Sequence, residues 1–338
     1  MTKLLIVALA SAVTCAILIV ALKPLLVRYA LARPNARSSH RIPTPQGGGI
    51  AVMAATLAIA AAALSLTAVP VDGAEIAWLS AAAFFLAVTG VVDDIHPLSA
   101  MPRLVMQTLA VTVVVTASAD ARVLPDVVPL WVERSLVVFA GVWFVNLVNF
   151  MDGIDWITAA EIVPITAFLA LLGTAGVIPP WIALICAALC GAMLGFAPFN
   201  RPVAKLFLGD VGSLPIGLLV GWMLLELAAR GALAAVILLP LYYLADATIT
   251  LLRRLVRRER IWEAHRSHFY QVAIDHNGFS VLGVVSHVFL LNLALAALAA
   301  CTILWPAWSV QLAALLLGIA LVGFVLWRFS APAVRVAA

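Results

Sequence analysis

About eleven stretches of some twenty apolar residues constrain this chain more than any other feature, because a bilayer core takes about 20 such residues per helix. They begin near Leu4, Gly48, Ile76, Leu104, Ser135, Ile157, Pro180, Leu214, Ala232, Val281 and Trp308. Backbone polar groups in lipid must be satisfied inside the segment, so runs of this length read as helices. Charged residues form only 11% of the 338, against about 25% in soluble domains. The expected fold is an all-α polytopic membrane protein, one integral-membrane domain over residues 1–338. No inserted soluble domain or internal repeat is visible. The first run flows into Lys23-Pro24 without a cleavage pattern and reads as a retained helix. Cys15, Cys186, Cys190 and Cys301 lie in apolar runs without paired spacing and read as small core residues.

An odd number of spans puts the termini on opposite sides, and Lys/Arg placement chooses between the two orientations. With the N-terminus outside, all of the 20 Lys and Arg residues except Lys3, Arg122, Arg134 and Arg230 face inward. The C-terminus is then cytoplasmic. Asp72, Glu75, Asp120, Asp126 and Glu133 fall outside and read as solvated loop residues.

Acidic groups recur at the inward ends. Asp93 and Asp94 close the third span, and a bound cation would relieve their mutual repulsion. Asn146-Leu-Val-Asn149-Phe-Met-Asp152-Gly-Ile-Asp155 places Asn146, Asn149 and Asp152 along one drifting helical face. Amides inside an apolar span must meet one another, backbone groups or a polar ligand. Asp155 could cap the helix that follows, and Asp210 or Ser213, in Phe-Leu-Gly-Asp-Val-Gly-Ser, could cap the eighth. Carboxylates gathered at one end of several helices also suit a divalent metal. Mg2+ takes one or two of them together with substrate phosphates.

Two basic segments complete the pattern. Arg37-Ser-Ser-His-Arg41 precedes Pro-Thr-Pro-Gln and three glycines, which allow close approach of backbone to a helix or a phosphate. Arg253 to Arg260 serve topology and acidic headgroups. His265-Arg266-Ser-His268 offers two imidazoles around a guanidinium, a suitable pyrophosphate grip.

In order, these segments resemble the polyprenyl-phosphate N-acetylhexosamine-1-phosphate transferases, a membrane family of glycosyltransferase family 4 type. It includes the peptidoglycan translocase and the O-antigen and enterobacterial common antigen initiators. The resemblance runs from about Arg37 to His268. It implies transfer of a sugar 1-phosphate from a UDP-sugar to undecaprenyl phosphate, with UMP released, Mg2+ (or Mn2+) as cofactor, and the site facing the cytoplasm of a bacterial inner membrane. It implies that Asp210 and Asp94 hold the metal and that Asp93 is the candidate base. Asn149, Asp152 and Asp155 would bind the uridine, Phe207 would stack on uracil, and Arg41 would lie near the nucleotide. His265, Arg266 and His268 would grip phosphate. A homodimer is compatible with the resemblance, and nucleic acid is not an expected partner.

Two departures stand out. Trp156 replaces the glycine common after the second aspartate of Asp-Gly-x-Asp. Phe269, Tyr270 and Gln271 follow His268 where the peptidoglycan enzyme has more histidine, which favours a simple N-acetylated hexosamine or deoxyhexosamine. The rival from another class is a secondary transporter of an anionic solute. Transporters place ionisable groups near the midplane and often within inverted repeats, and neither is seen here.

Overall fold

The computed structural model describes residues 1–32, 43–67, 69–118, 121–260 and 265–331. Its helices are α1 (Thr2–Tyr29), α2 (Gly48–Thr67), α3 (Gly73–Ile95), α4 (Ala100–Ala117), α5 (Leu130–Met151), α6 (Ile157–Thr174), α7 (Pro180–Phe196), α8 (Asp210–Ala228), α9 (Leu233–Leu238), α10 (Leu241–Val256), α11 (Phe269–Asp275), α12 (Val281–Leu304) and α13 (Trp308–Ser330). Two short strands, β1 (Leu31–Ala32) and β2 (Thr44–Pro45), pair antiparallel. Nine helices among the described residues are long and apolar enough to cross a membrane, and α7 is a shorter apolar one. At 1.5 Å per residue, α7 spans about 25 Å, just short of a hydrocarbon core of roughly 30 Å.

Helices α7 and α8 form the centre and are buried along almost their whole length. Around them stand α1, α2 and α6 on the α7 side, and α2, α3 and α5 on the α8 side. The periphery exposes large apolar residues such as Leu9, Phe139 and Leu316, as expected of a surface that faces lipid tails. Small residues set the central spacing. A Cβ on Gly191 or Gly195 of α7 would strike the backbone of Ala8 or Ala12 on α1.

One expected span is broken. The run from Ala232 folds as α9 and α10 because Pro240, which has no N–H to donate and a ring that clashes with the preceding turn, interrupts the helical ladder. Arg253 and Arg254 sit in the last turn of α10, where cations oppose the negative helix end. All four cysteines are free, and Cys15, Cys186 and Cys190 are buried.

The opposite rim corrects the reading of its acids as solvated. Glu133 is only 1% exposed. It accepts from Arg122 Nε at 3.0 Å and from the Val123 and Leu124 amides. Glu75 accepts from Ser118 and from the Trp222 indole at 3.2 Å, tying α3 to α8. Asp72 caps α3 through the Ala74 amide. Asp126 remains exposed beside Arg122, and Asp120 lies outside the described residues.

Candidate active site

The site is a mouth where the ends of α2, α3, α5 and α8 meet, and bare backbone sets its dimensions. A Cβ on Gly90 of α3 would fall into the Asp210 backbone, and one on Gly49 of α2 into that of Gly212. The Gly48 and Gly49 amides donate to the Phe207 and Leu208 carbonyls at 2.9 and 2.8 Å. Gln46 pairs with Phe207 in a parallel bridge. These glycines therefore serve close packing, and the Gly48 and Gly49 N–H groups are spent within the chain instead of on a phosphate. Arg37, His40 and Arg41 lie outside the described residues.

Asp94 takes the capping role that Asp210 or Ser213 could have filled. Its two oxygens accept from the Asp210 and Val211 amides at 2.9 and 3.2 Å, so a carboxylate from α3 closes the N-terminus of α8. Gly209, the residue at that cap, supplies no side chain and has φ 77°. An anion suits this position, where unsatisfied N–H groups concentrate positive potential. Asp93 turns the other way. It is 7% exposed and accepts from Arg103 Nη1 at 2.9 Å and from the Leu98 amide at 2.6 Å. Arg103 also stands 3.9 Å from Asp210 Oδ2, so it spans two of the three acids.

The amides of α5 find partners as lipid burial requires. Asn149 Nδ2 donates to Asp210 Oδ1 at 2.8 Å and to Ser213 Oγ at 2.9 Å. Asn146 Nδ2 donates to Gln107 Oε1 of α4 at 2.6 Å. Asp152, just beyond α5, accepts from the Thr158 hydroxyl. Its recessed position pushes its carboxyl up to about 7, with Asp94 and Asp155 adding to the rise and Thr158 opposing it. Asp155 Oδ2 accepts from the Ala204 amide at 2.9 Å, while α6 begins without a side-chain cap. Trp156 takes φ 66° at that start, a left-handed conformation that favours glycine. Its indole N–H donates to the Ala197 carbonyl at 2.6 Å and its amide to Asn200 at 2.7 Å. The ring is thus docked on the end of α7.

The histidine loop reaches this turn through Tyr270. The phenol donates to the Phe150 carbonyl at 3.3 Å, and any Cβ on Gly153 would collide with it. His268 stacks between His265 and Tyr270, with ring centroids 4.9 and 5.7 Å away. It is only 2% exposed, and its Nδ1 lies 3.1 Å from Asp246. Arg266 forms a two-pronged pair with Asp275 at 2.8 and 2.7 Å. Desolvation, with His268 and Arg254 nearby, lowers His265 to about 4, so it is neutral near pH 7. Of the three grip residues, His268 is buried and Arg266 is paired within the fold.

Asp246 is the residue that sequence reasoning missed. It is fully buried and also accepts from the Phe269 and Tyr270 amides and from the Tyr242 and Thr250 hydroxyls. It anchors α11, and with it the loop. Its signal in the sequence is one acid in an otherwise apolar part of a span, Leu241 to Leu252, the kind of residue that marks a site by default.

Among the described residues no group of three or more His, Cys, Asp or Glu is arranged to hold a metal ion. Asp94 and Asp210 are hard oxygen donors, so the chemistry fits Mg2+ only if oxygens from a bound phosphate complete its shell, which is how Mg2+ is commonly held.

Residues 76–228, which include Asp93, Asp94, Asn149, Asp152 and Asp210, match glycosyl transferase family 4. The match covers less than half of the 338 residues. It is 32% identical over 219 residues to a decaprenyl-phosphate N-acetylglucosaminephosphotransferase of Mycolicibacterium smegmatis, covering 58% of this chain and 53% of that protein. It is 40% identical over 88 residues to a phospho-N-acetylmuramoyl-pentapeptide-transferase of Limosilactobacillus fermentum, 26% of this chain and 27% of that one. A probable undecaprenyl-phosphate N-acetylglucosaminyl 1-phosphate transferase of Bacillus subtilis is 26% identical over 254 residues, 71% of this chain and 68% of its own. The chain thus spans about half the length of the mycobacterial relative.

Proposed function

We propose that the protein transfers a sugar 1-phosphate, from a UDP-linked N-acetylated hexosamine or deoxyhexosamine, to undecaprenyl phosphate. A lipid-phosphate oxygen attacks the β-phosphorus of the nucleotide sugar. The bond between the β-phosphorus and the bridging oxygen breaks, its electron pair stays on that oxygen and leaves with UMP, and a lipid-linked sugar pyrophosphate remains. The product would begin a surface polysaccharide such as O-antigen or a cell-wall polymer. What carries this reading is the meeting of Asp94, Asn149 and Asp210 at one mouth, inside the matched domain.

In this reading the chain crosses the membrane eleven times, counting α7 and the α9–α10 pair as one crossing each, with the N-terminus outside and the mouth facing the cytoplasm. Two polyanions must meet there, so Asp210 and Asp94 would hold Mg2+, which supplies charge neutralisation. Arg103, clamped by Asp93, faces the lipid phosphate. That phosphate is already largely ionised near neutral pH, so a base at Asp93 has little to add. Asn149, Asp152 and Asp155 orient the nucleoside, Phe207 stacks on uracil, and Arg41 lies near the nucleotide. His265, neutral, offers a ring N–H to phosphate, while Arg266 and His268 shape the loop that carries it.

The test is UMP release from purified protein given undecaprenyl phosphate, Mg2+ and a panel of UDP-sugars. Release with at least one sugar is expected, with loss on adding EDTA and in Asp210→Asn. Full turnover in EDTA, or no release with any sugar, would remove the reading.

A further inference from the structure

Among the described residues, three buried side-chain oxygens lack a hydrogen-bond partner: Glu161 Oε1, Tyr243 Oη and Asn292 Oδ1. Each belongs to a residue only 1% exposed, and they come from α6, α10 and α12 in turn. Glu161 and Asn292 touch directly, and Tyr243 reaches Glu161 through its backbone. Asn292 Nδ2 donates to Glu161 Oε2 at 2.6 Å and to the Ala160 carbonyl at 3.0 Å. The Tyr243 N–H, in the first turn of α10, is directed at the Glu161 carboxylate. The break at Pro240 leaves that first turn its free amides, and their positive end suits a buried acid.

Leaving a buried polar atom unpaired costs about 1–3 kcal/mol, so three on neighbouring residues call for a remedy. Glu161 Oε1, Asn292 Oδ1 and the Tyr243 hydroxyl are each without a partner inside the chain, and each can bond to water. A single water molecule offers two donors and a lone pair, and internal waters typically make about three such bonds. The cluster also reaches the mouth. Thr158, one turn before Glu161 on α6, donates to Asp152 and lies beside the Tyr243 hydroxyl. Asp152 therefore depends on the first turn of α6, and Glu161 ties that turn to α10 and α12.

We propose that Glu161, Asn292 and Tyr243 share one buried water, and that this closed network positions Asp152 through Thr158. Its water half stands alone, and its catalytic half rests on the function proposed above. A high-resolution structure of the full chain is expected to show density within hydrogen-bond reach of all three oxygens. Glu161→Leu takes the acceptor from Asn292 Nδ2 and should lower the melting temperature, whereas Tyr243→Phe removes a hydroxyl without a partner and should melt near wild type. Both should raise amide hydrogen exchange across residues 150–158 and lower kcat about 10- to 100-fold, with KM for lipid phosphate within about twofold. Glu161→Gln, which keeps a polar group of the same shape beside the water, should recover most of both losses. No density between the three oxygens, or unchanged exchange across 150–158 in Glu161→Leu, would overturn the proposal. A wild-type protein that releases no UMP would refute the function above, while density and exchange would still judge the network.

Discussion

Asp210 faces the carboxylates of Asp94 and Asp93, with Arg103 no nearer than 3.9 Å. Like charges gathered this closely oppose folding, which is a common cost of functional sites. Neutralising Asp210 should therefore stabilise the metal-free protein while ending turnover. Asp210→Asn is expected to raise the melting temperature of the metal-free protein by relieving that repulsion, and to lose the further rise that Mg2+ gives wild type. A Mg2+-dependent shift of equal size in both proteins would assign the cation elsewhere. Trp156 presents the opposite balance. Trp156→Gly would relieve about 1 kcal/mol of left-handed strain. It would also forfeit the indole hydrogen bond, about 1 kcal/mol, and roughly 1–2 kcal/mol of ring burial. A net loss of about 1–2 kcal/mol is expected by denaturation in detergent, and a stabilised variant would contradict it.

At the scale of elements, the loop before α11 is held by Asp246 and gives a pH signature. His265 falls to about 4 from an ordinary 6.5, so between these values the unfolded chain binds the extra proton. Stability therefore rises with pH across that window and is lost as pH falls through it. Wild type should lose melting temperature from pH 6.5 toward 4 more steeply than His265→Gln, and equal slopes would show that the imidazole is not desolvated. Much at this scale was legible in the sequence, because a run long enough to cross a bilayer leaves helix as its main option. Each expected span begins within or beside a helix. What escaped was whatever depended on partners distant in the chain. Asp94 caps a helix more than a hundred residues away, and nothing local to Gly209 announces it. The break at Pro240 could have been read from the proline, but apolar length dominated the expectation. That Asn149 would need a polar partner was legible, whereas the identity of that partner, Asp210, was not.

For the whole molecule, the orientation is open to a direct test. A cysteine-free variant carrying one cysteine at Arg201 or at Asp126 should react with a membrane-impermeant thiol reagent added to intact cells only at Asp126. Labelling of both positions, or of Arg201 alone, would overturn the N-out arrangement and the cytoplasmic mouth with it. The contacts through Gly49 and Gly90 bear on how such a molecule lives in bilayers of different thickness. Mismatch between protein and lipid is met by tilting helices or deforming the bilayer. A peripheral helix such as α13, with one flank toward the lipid tails, can lean. At Gly49 and Gly90, α2 and α3 already touch α8 backbone to backbone and have no room to slide closer. The gap between the two aspartates at the mouth is therefore insulated from changes in lipid chain length.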